Sequence, residues 1–132
     1  MTITRIGSEP TQVGPAEYFT GHVILNMPFQ GDSPSNLVGA TVSFDPGART
    51  HWHTHPVGQT LLVIAGMGWI QSWGGVKQTV NPGDIVEFAP GEKHWHGATV
   101  NTSMSHIAVQ DAQDGKTATW LEPVTEEQYL GS

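Results

Sequence analysis

The chain predicts an all-β fold, one barrel or sandwich followed by a short helix near its end. Three observations carry this. Nine short runs of strand character recur along 132 residues, at the regular spacing seen in sandwiches and barrels. The breaks between them hold turn residues, among them Asp45-Pro46-Gly47, Gly74-Gly75, Asn81-Pro82-Gly83 and Ala89-Pro90-Gly91. The composition, 16 Gly and 9 Pro with only 13% charged residues, suits many strands joined tightly. The length fits a single domain, 1–132, with one core.

Taken in order, residues 7–15 read as loop, rich in Gly, Ser, Pro and Thr. Strand-like runs follow at 20–26, 37–44, 49–55, 59–65, 67–73, 76–80, 84–88, 94–100 and 104–110. Strand side chains alternate between two faces. Ala40, Val42 and Phe44 therefore share one face of the second run, and His106, Ala108 and Gln110 one face of the last. Thr125-Glu126-Glu127-Gln128 fits a capping box, which predicts a short C-terminal helix. Formal net charge is −7 and the 5 Lys and Arg are scattered, so no patch tracks phosphates and nucleic acid is not an expected partner. There is no cysteine, hence no disulfide or thiolate chemistry. No apolar stretch reads as a signal peptide or a membrane span, and the expectation is a soluble, cytoplasmic protein.

The chemistry concentrates in the histidines. His53 and His55 stand one residue apart in a strand-like run, so both imidazoles face one way. Gln59, past the Pro56-Val57-Gly58 bend, offers a carbonyl oxygen to the same point, and His94 closes the group if its strand pairs nearby. Imidazole nitrogens with a carbonyl oxygen suit one divalent first-row metal. Gln59 as a neutral spacer beside a three-histidine site is the alternative. His51 shares the parity of His53, which leaves it either in the cavity or at the barrel mouth. His96 shares the parity of His94, and with His106 it could carry protons above the metal in a compact apolar pocket. Trp52 and Trp95 have the opposite parity, and the tryptophans read as core or interface residues.

The spacing Gly47, five residues, His53-x-His55, three residues, Gln59, six residues, Gly66 resembles the first cupin motif. The stretch from Gly83 to His94 resembles the second. Gln59 stands where most cupins have Glu, Pro90 falls one place late, and Ala98 replaces the usual Asn. The wording around Trp52-His53-Thr54-His55-Pro56, Gly58-Gln59-Thr60-Leu61 and Pro90 to Ala98 further resembles the small bacterial manganese-dependent cupin hydroxynitrile lyases. That resemblance implies a cupin jelly-roll that reversibly cleaves cyanohydrins such as mandelonitrile to an aldehyde and hydrogen cyanide. It implies manganese, or alternatively iron, held by His53, His55, Gln59 and His94, with nickel or zinc competing in recombinant protein. His106 is then the first choice for the base and His96 the second, while Ala40, Val42 and Gln110 shape the substrate pocket. A small-molecule substrate and a homo-oligomer, dimer or tetramer, complete the expectation. Two other readings stay open: an oxidative cupin such as a dioxygenase, and a non-catalytic cupin that only binds a small ligand. Without a carboxylate ligand, the protein donors leave the full cationic charge, which biases the site towards Lewis-acid chemistry.

Overall fold

The computed structural model describes residues 1–131, and among them two antiparallel sheets curl against each other. The first sheet runs β1 (Gln12–Val13), β3 (Val23–Gln30), β4 (Leu37–Phe44), β12 (Met104–Asp111), β7 (Gln59–Gly66) and β10 (Ile85–Phe88). The second runs β13 (Thr119–Trp120), β6 (His53–Thr54), β11 (His94–Ala98), β5 (Arg49–Thr50) and β2 (Phe19–Thr20). Two further strands, β8 (Gly68–Ser72) and β9 (Gln78–Val80), extend that sheet from β11. The fold is all-β, the barrel that the strand count and the cupin resemblance together predict. Every predicted run contains a strand, but β1 lies inside the stretch read as loop and β13 lies where no strand is predicted. Two residues each, both are too short to show a period.

Alternation builds the interior. On β12, Met104, His106 and Ala108 are buried, and on β7 Gln59, Leu61 and Val63 are. His106 sits opposite Val42 on one side and Val63 on the other, and Ala108 opposite Ala40 and Leu61. His106 therefore enters the barrel from the middle of the first sheet.

One predicted strand is broken. Residues 49–55 read as a single run, yet β5 and β6 are separate. Gly97 lies opposite Arg49 and His94 opposite His53, so the β5–β6 side holds one residue more than β11. Such a bulge resets the alternation. Thr50, not His51, takes the inward position, and its hydroxyl accepts from the His96 amide at 3.2 Å. His51 keeps neither predicted place. It is buried, and its amide donates to Tyr18 O at 2.8 Å.

The helix α1 (Glu126–Leu130) starts at the predicted capping box, Thr125 and Gln128 bonding reciprocally. It covers the outer face of the second sheet, where Trp52, Trp95, Val124 and Tyr129 form an apolar cluster outside the barrel. Buried Arg49 ties this segment down. Its guanidinium donates to Val124 O at 2.9 Å and Glu126 Oε1 at 3.0 Å, and lies 4.3 Å over the Tyr129 ring. No helix among the described residues is long and apolar enough to cross a membrane.

Candidate metal centre

Three imidazoles converge where β6 and β11 pair. The ring centroids of His53 and His94 are 4.3 Å apart, those of His53 and His55 5.0 Å, and those of His55 and His94 5.5 Å. Each ring is anchored in the same way. His53 Nδ1 bonds His51 O at 2.8 Å, His55 Nδ1 bonds Thr117 O at 2.7 Å, and His94 Nδ1 bonds Glu92 O at 2.8 Å. A backbone carbonyl only accepts, so in all three rings the proton sits on Nδ1 and the lone pair on Nε2. Carbonyl-anchored histidines of this kind are how proteins orient metal ligands.

Gln59 points an oxygen at the same cluster. Its Nε2 donates to Gln110 Oε1 at 3.1 Å, which turns Oε1 inward to 3.2 Å from His94 Nε2. Both of these atoms carry lone pairs and neither carries a proton. They make no hydrogen bond, but two lone-pair donors facing each other this closely suit a shared cation. His55 Nε2 is buried with no partner in the protein. A divalent first-row cation fits this donor set.

The three histidines whose ligand atoms all lie within 4.8 Å of one another are His53, His94 and His96, and His55 stands outside that group. The anchoring of His96 differs: its Nδ1 meets His106 Nε2 at 2.9 Å, not a carbonyl. Whichever ring holds the shared proton, the couple presents one free lone pair and one free N–H, because His96 Nε2 and His106 Nδ1 are buried and otherwise unpartnered. Burial keeps all these rings neutral at neutral pH. It lowers His53 and His96 well below the ordinary value, helped by neighbouring imidazoles, lowers His55, and pushes His94 down to about 4 and His106 to about 3.

Above the cluster lies a cavity of about 470 Å³, walled mainly by apolar side chains. The sequence-predicted His53, His55, Gln59, His96, His106, Ala40, Val42 and Gln110 all line it. His94 lies beneath the wall, its ring stacked on Phe88 at 3.6 Å. Thr50, Tyr18, Phe19 and Trp120 also face the cavity and escape the sequence reading. Trp120 stacks on both Tyr18, at 4.6 Å, and His53, at 4.5 Å. Thr117 acts through a backbone carbonyl, so no side-chain pattern marks it.

Comparison with known proteins agrees with this architecture. Residues 40–109 match the family model described as a cupin domain. The chain is 54% identical over 129 residues, 98% of each chain, to a protein named (R)-mandelonitrile lyase from Granulicella tundricola. Among solved structures it resembles a cupin-like protein from Thermotoga maritima, with TM-score 0.83 and 38% identity over 98% of this chain and 95% of that one. A polyketide cyclase from Streptomyces resistomycificus shares the fold, with TM-score 0.68 at 15% identity over 97% of this chain and 91% of that one.

Proposed function

The chain belongs to the cupin-domain family, and on that premise we propose that it is a metal-dependent hydroxynitrile lyase. The reaction is the reversible cleavage of a cyanohydrin such as mandelonitrile to an aldehyde and hydrogen cyanide. The observation that carries this reading is a neutral four-donor set beside an acid–base couple. His53, His55, Gln59 and His94 offer the donors, and the His96–His106 couple stands on the same apolar cavity. The likeness to the mandelonitrile lyase supports it over nearly the whole chain. Resemblance to manganese-dependent relatives favours manganese, with iron the alternative.

Bound at these four residues, a divalent cation supplies electrophilic stabilisation of negative charge. The chain's own groups do the rest. The cavity wall, with small Ala40 and Val42 among its apolar residues, excludes water from the reacting carbon. The free lone pair of the His96–His106 couple takes the hydroxyl proton as the carbon–carbon bond breaks. The electron pair of that bond leaves with cyanide, and the oxygen becomes the aldehyde carbonyl. The couple's free N–H then protonates cyanide as the shared proton crosses between the rings, so both rings end neutral with their base and acid ends exchanged. Because burial holds both rings neutral, base and acid coexist at neutral pH.

We also infer self-association through the outer face of the first sheet. Ile85, Leu62 and Ile107 lie side by side across β10, β7 and β12 and point away from the barrel, an apolar row of the kind that marks contact between subunits.

The deciding experiment is metal analysis of purified protein followed by an anaerobic assay with mandelonitrile. Benzaldehyde and cyanide release without oxygen, abolished in a His94→Ala variant that loses its metal, is the expected result. Turnover that requires oxygen uptake overturns the lyase reading.

A further inference from the structure

The family match ends at residue 109, yet a later segment is built into the histidine cluster. Thr119 and Trp120 of β13 pair with Thr54 and His53 of β6. Leu121 N donates to Trp52 O at 2.8 Å, and Trp52 N donates back to Glu122 O at 3.0 Å. Thr117 O accepts from His55 Nδ1. A strap of six residues, 117–122, thus contacts the ligand-bearing residues 52–55 along its whole length.

Trp120 is the side chain that matters in it. Its ring stacks on the His53 imidazole at 4.5 Å and 28°, and on Tyr18 at 4.6 Å and 20°. An imidazole held at Nδ1 by one hydrogen bond can still tilt about that bond, and a flat ring pressed on its face stops the tilt. We propose that Trp120 is a positioning residue of the metal centre, holding His53 at the angle its Nε2 needs, and that the strap docks in step with metal binding. The proposal rests on the metal assignment made above. Binding that favours the docked strap shifts the strap towards docking, and by reciprocity a docked strap tightens binding.

The test uses metal-stripped full-length wild type, Trp120→Ala, Trp120→Phe and His53→Ala, each titrated with Mn²⁺ by calorimetry. Hydrogen–deuterium exchange of 52–55 and 117–122 is followed with and without Mn²⁺. Trp120→Ala should bind Mn²⁺ roughly 10–100-fold more weakly, the usual effect of removing a group that orients a ligand. Trp120→Phe, which keeps a stacking ring, should recover most of that loss. In wild type, Mn²⁺ should slow exchange at the Leu121 and Trp52 amides. Circular dichroism reports folding, and if Trp120→Ala does not fold, Trp120→Phe and the wild-type exchange still decide. Wild-type affinity in Trp120→Ala, or strap exchange indifferent to Mn²⁺, overturns the proposal while His53→Ala loses the metal. Full Mn²⁺ binding by His53→Ala instead overturns the metal assignment itself, and this inference with it.

Discussion

His106 illustrates how a single buried side chain acquires a role. It is fully buried, its ring bonds only His96, and burial pushes its pKa to about 3. His106→Ala removes one ring of the couple without touching any of the four metal donors. Metal content by plasma spectrometry should stay at the wild-type level, while cyanohydrin cleavage falls by roughly 10²–10⁴-fold, the contribution of a positioned acid–base group. Gln59 invites the opposite experiment. Gln59→Glu puts a negative charge on the cation, so Mn²⁺ affinity should rise and become more sensitive to acid. The same charge opposes alkoxide or cyanide, so turnover should fall with occupancy intact. The substitution also removes the amide that donates to Gln110, and Gln110 must turn its own NH₂ inward to keep the bond. Equal or faster anaerobic cleavage by fully loaded Gln59→Glu would show that ligand charge does not govern the chemistry.

Among the elements, β5, β6 and β11 form a tight seam. A Cβ on Gly97 would lie 2.5 Å from Ala48 O and 2.6 Å from Arg49 Cα, distances no side chain tolerates. Gly97→Ala should therefore push β5 off β11 and cost about 1–3 kcal/mol in urea melts, as overpacking does. Displaced with that seam, His53 and His94 should also retain less metal on dialysis. The same seam marks how far the sequence was legible. Strand character and turn residues revealed the strand runs, Thr125 to Gln128 the helix, the two motifs His53, His55 and His94, and strand parity His96 and His106. The bulge at His51-Trp52 was not legible, because it depends on what β5 and β6 pair with rather than on their own residues. Strict alternation therefore gave His51 the parity that Thr50 takes. β13 was missed for a related reason: two residues have no period, and Trp120 reads as a core tryptophan until the strand beside it is known.

At the scale of the molecule, the buried histidines make the metal-free fold acid-sensitive. Folding lowers His94 to about 4 and His106 to about 3 from an ordinary 6.5, chiefly by desolvation. Above pH 6.5 these rings are neutral in both states and impose no penalty. Below it the unfolded chain gains protons that the folded chain refuses, so stability falls with falling pH until the folded values are reached. The thermal midpoint of chelator-treated protein should drop steadily between pH 6.5 and 4, and an unchanged midpoint across that window would contradict the burial argument. Association belongs to this scale too. Ile107→Glu places a charge in the middle of the apolar row on the first sheet. Light scattering should then give the mass of one chain where wild type gives a multiple, with the circular dichroism spectrum unchanged.

The proposed donor set spans the two sheets. Gln59 begins β7 in the first and His94 begins β11 in the second, 35 residues apart. A cation gripped by both is a cross-link, and it closes a long loop in a chain without a single cysteine. Tying off a loop of that length restricts the unfolded ensemble by about 4 kcal/mol in the chain-entropy model used for disulfides. A cation bound there as proposed would thus act as a removable staple, lost to a chelator and restored by added metal.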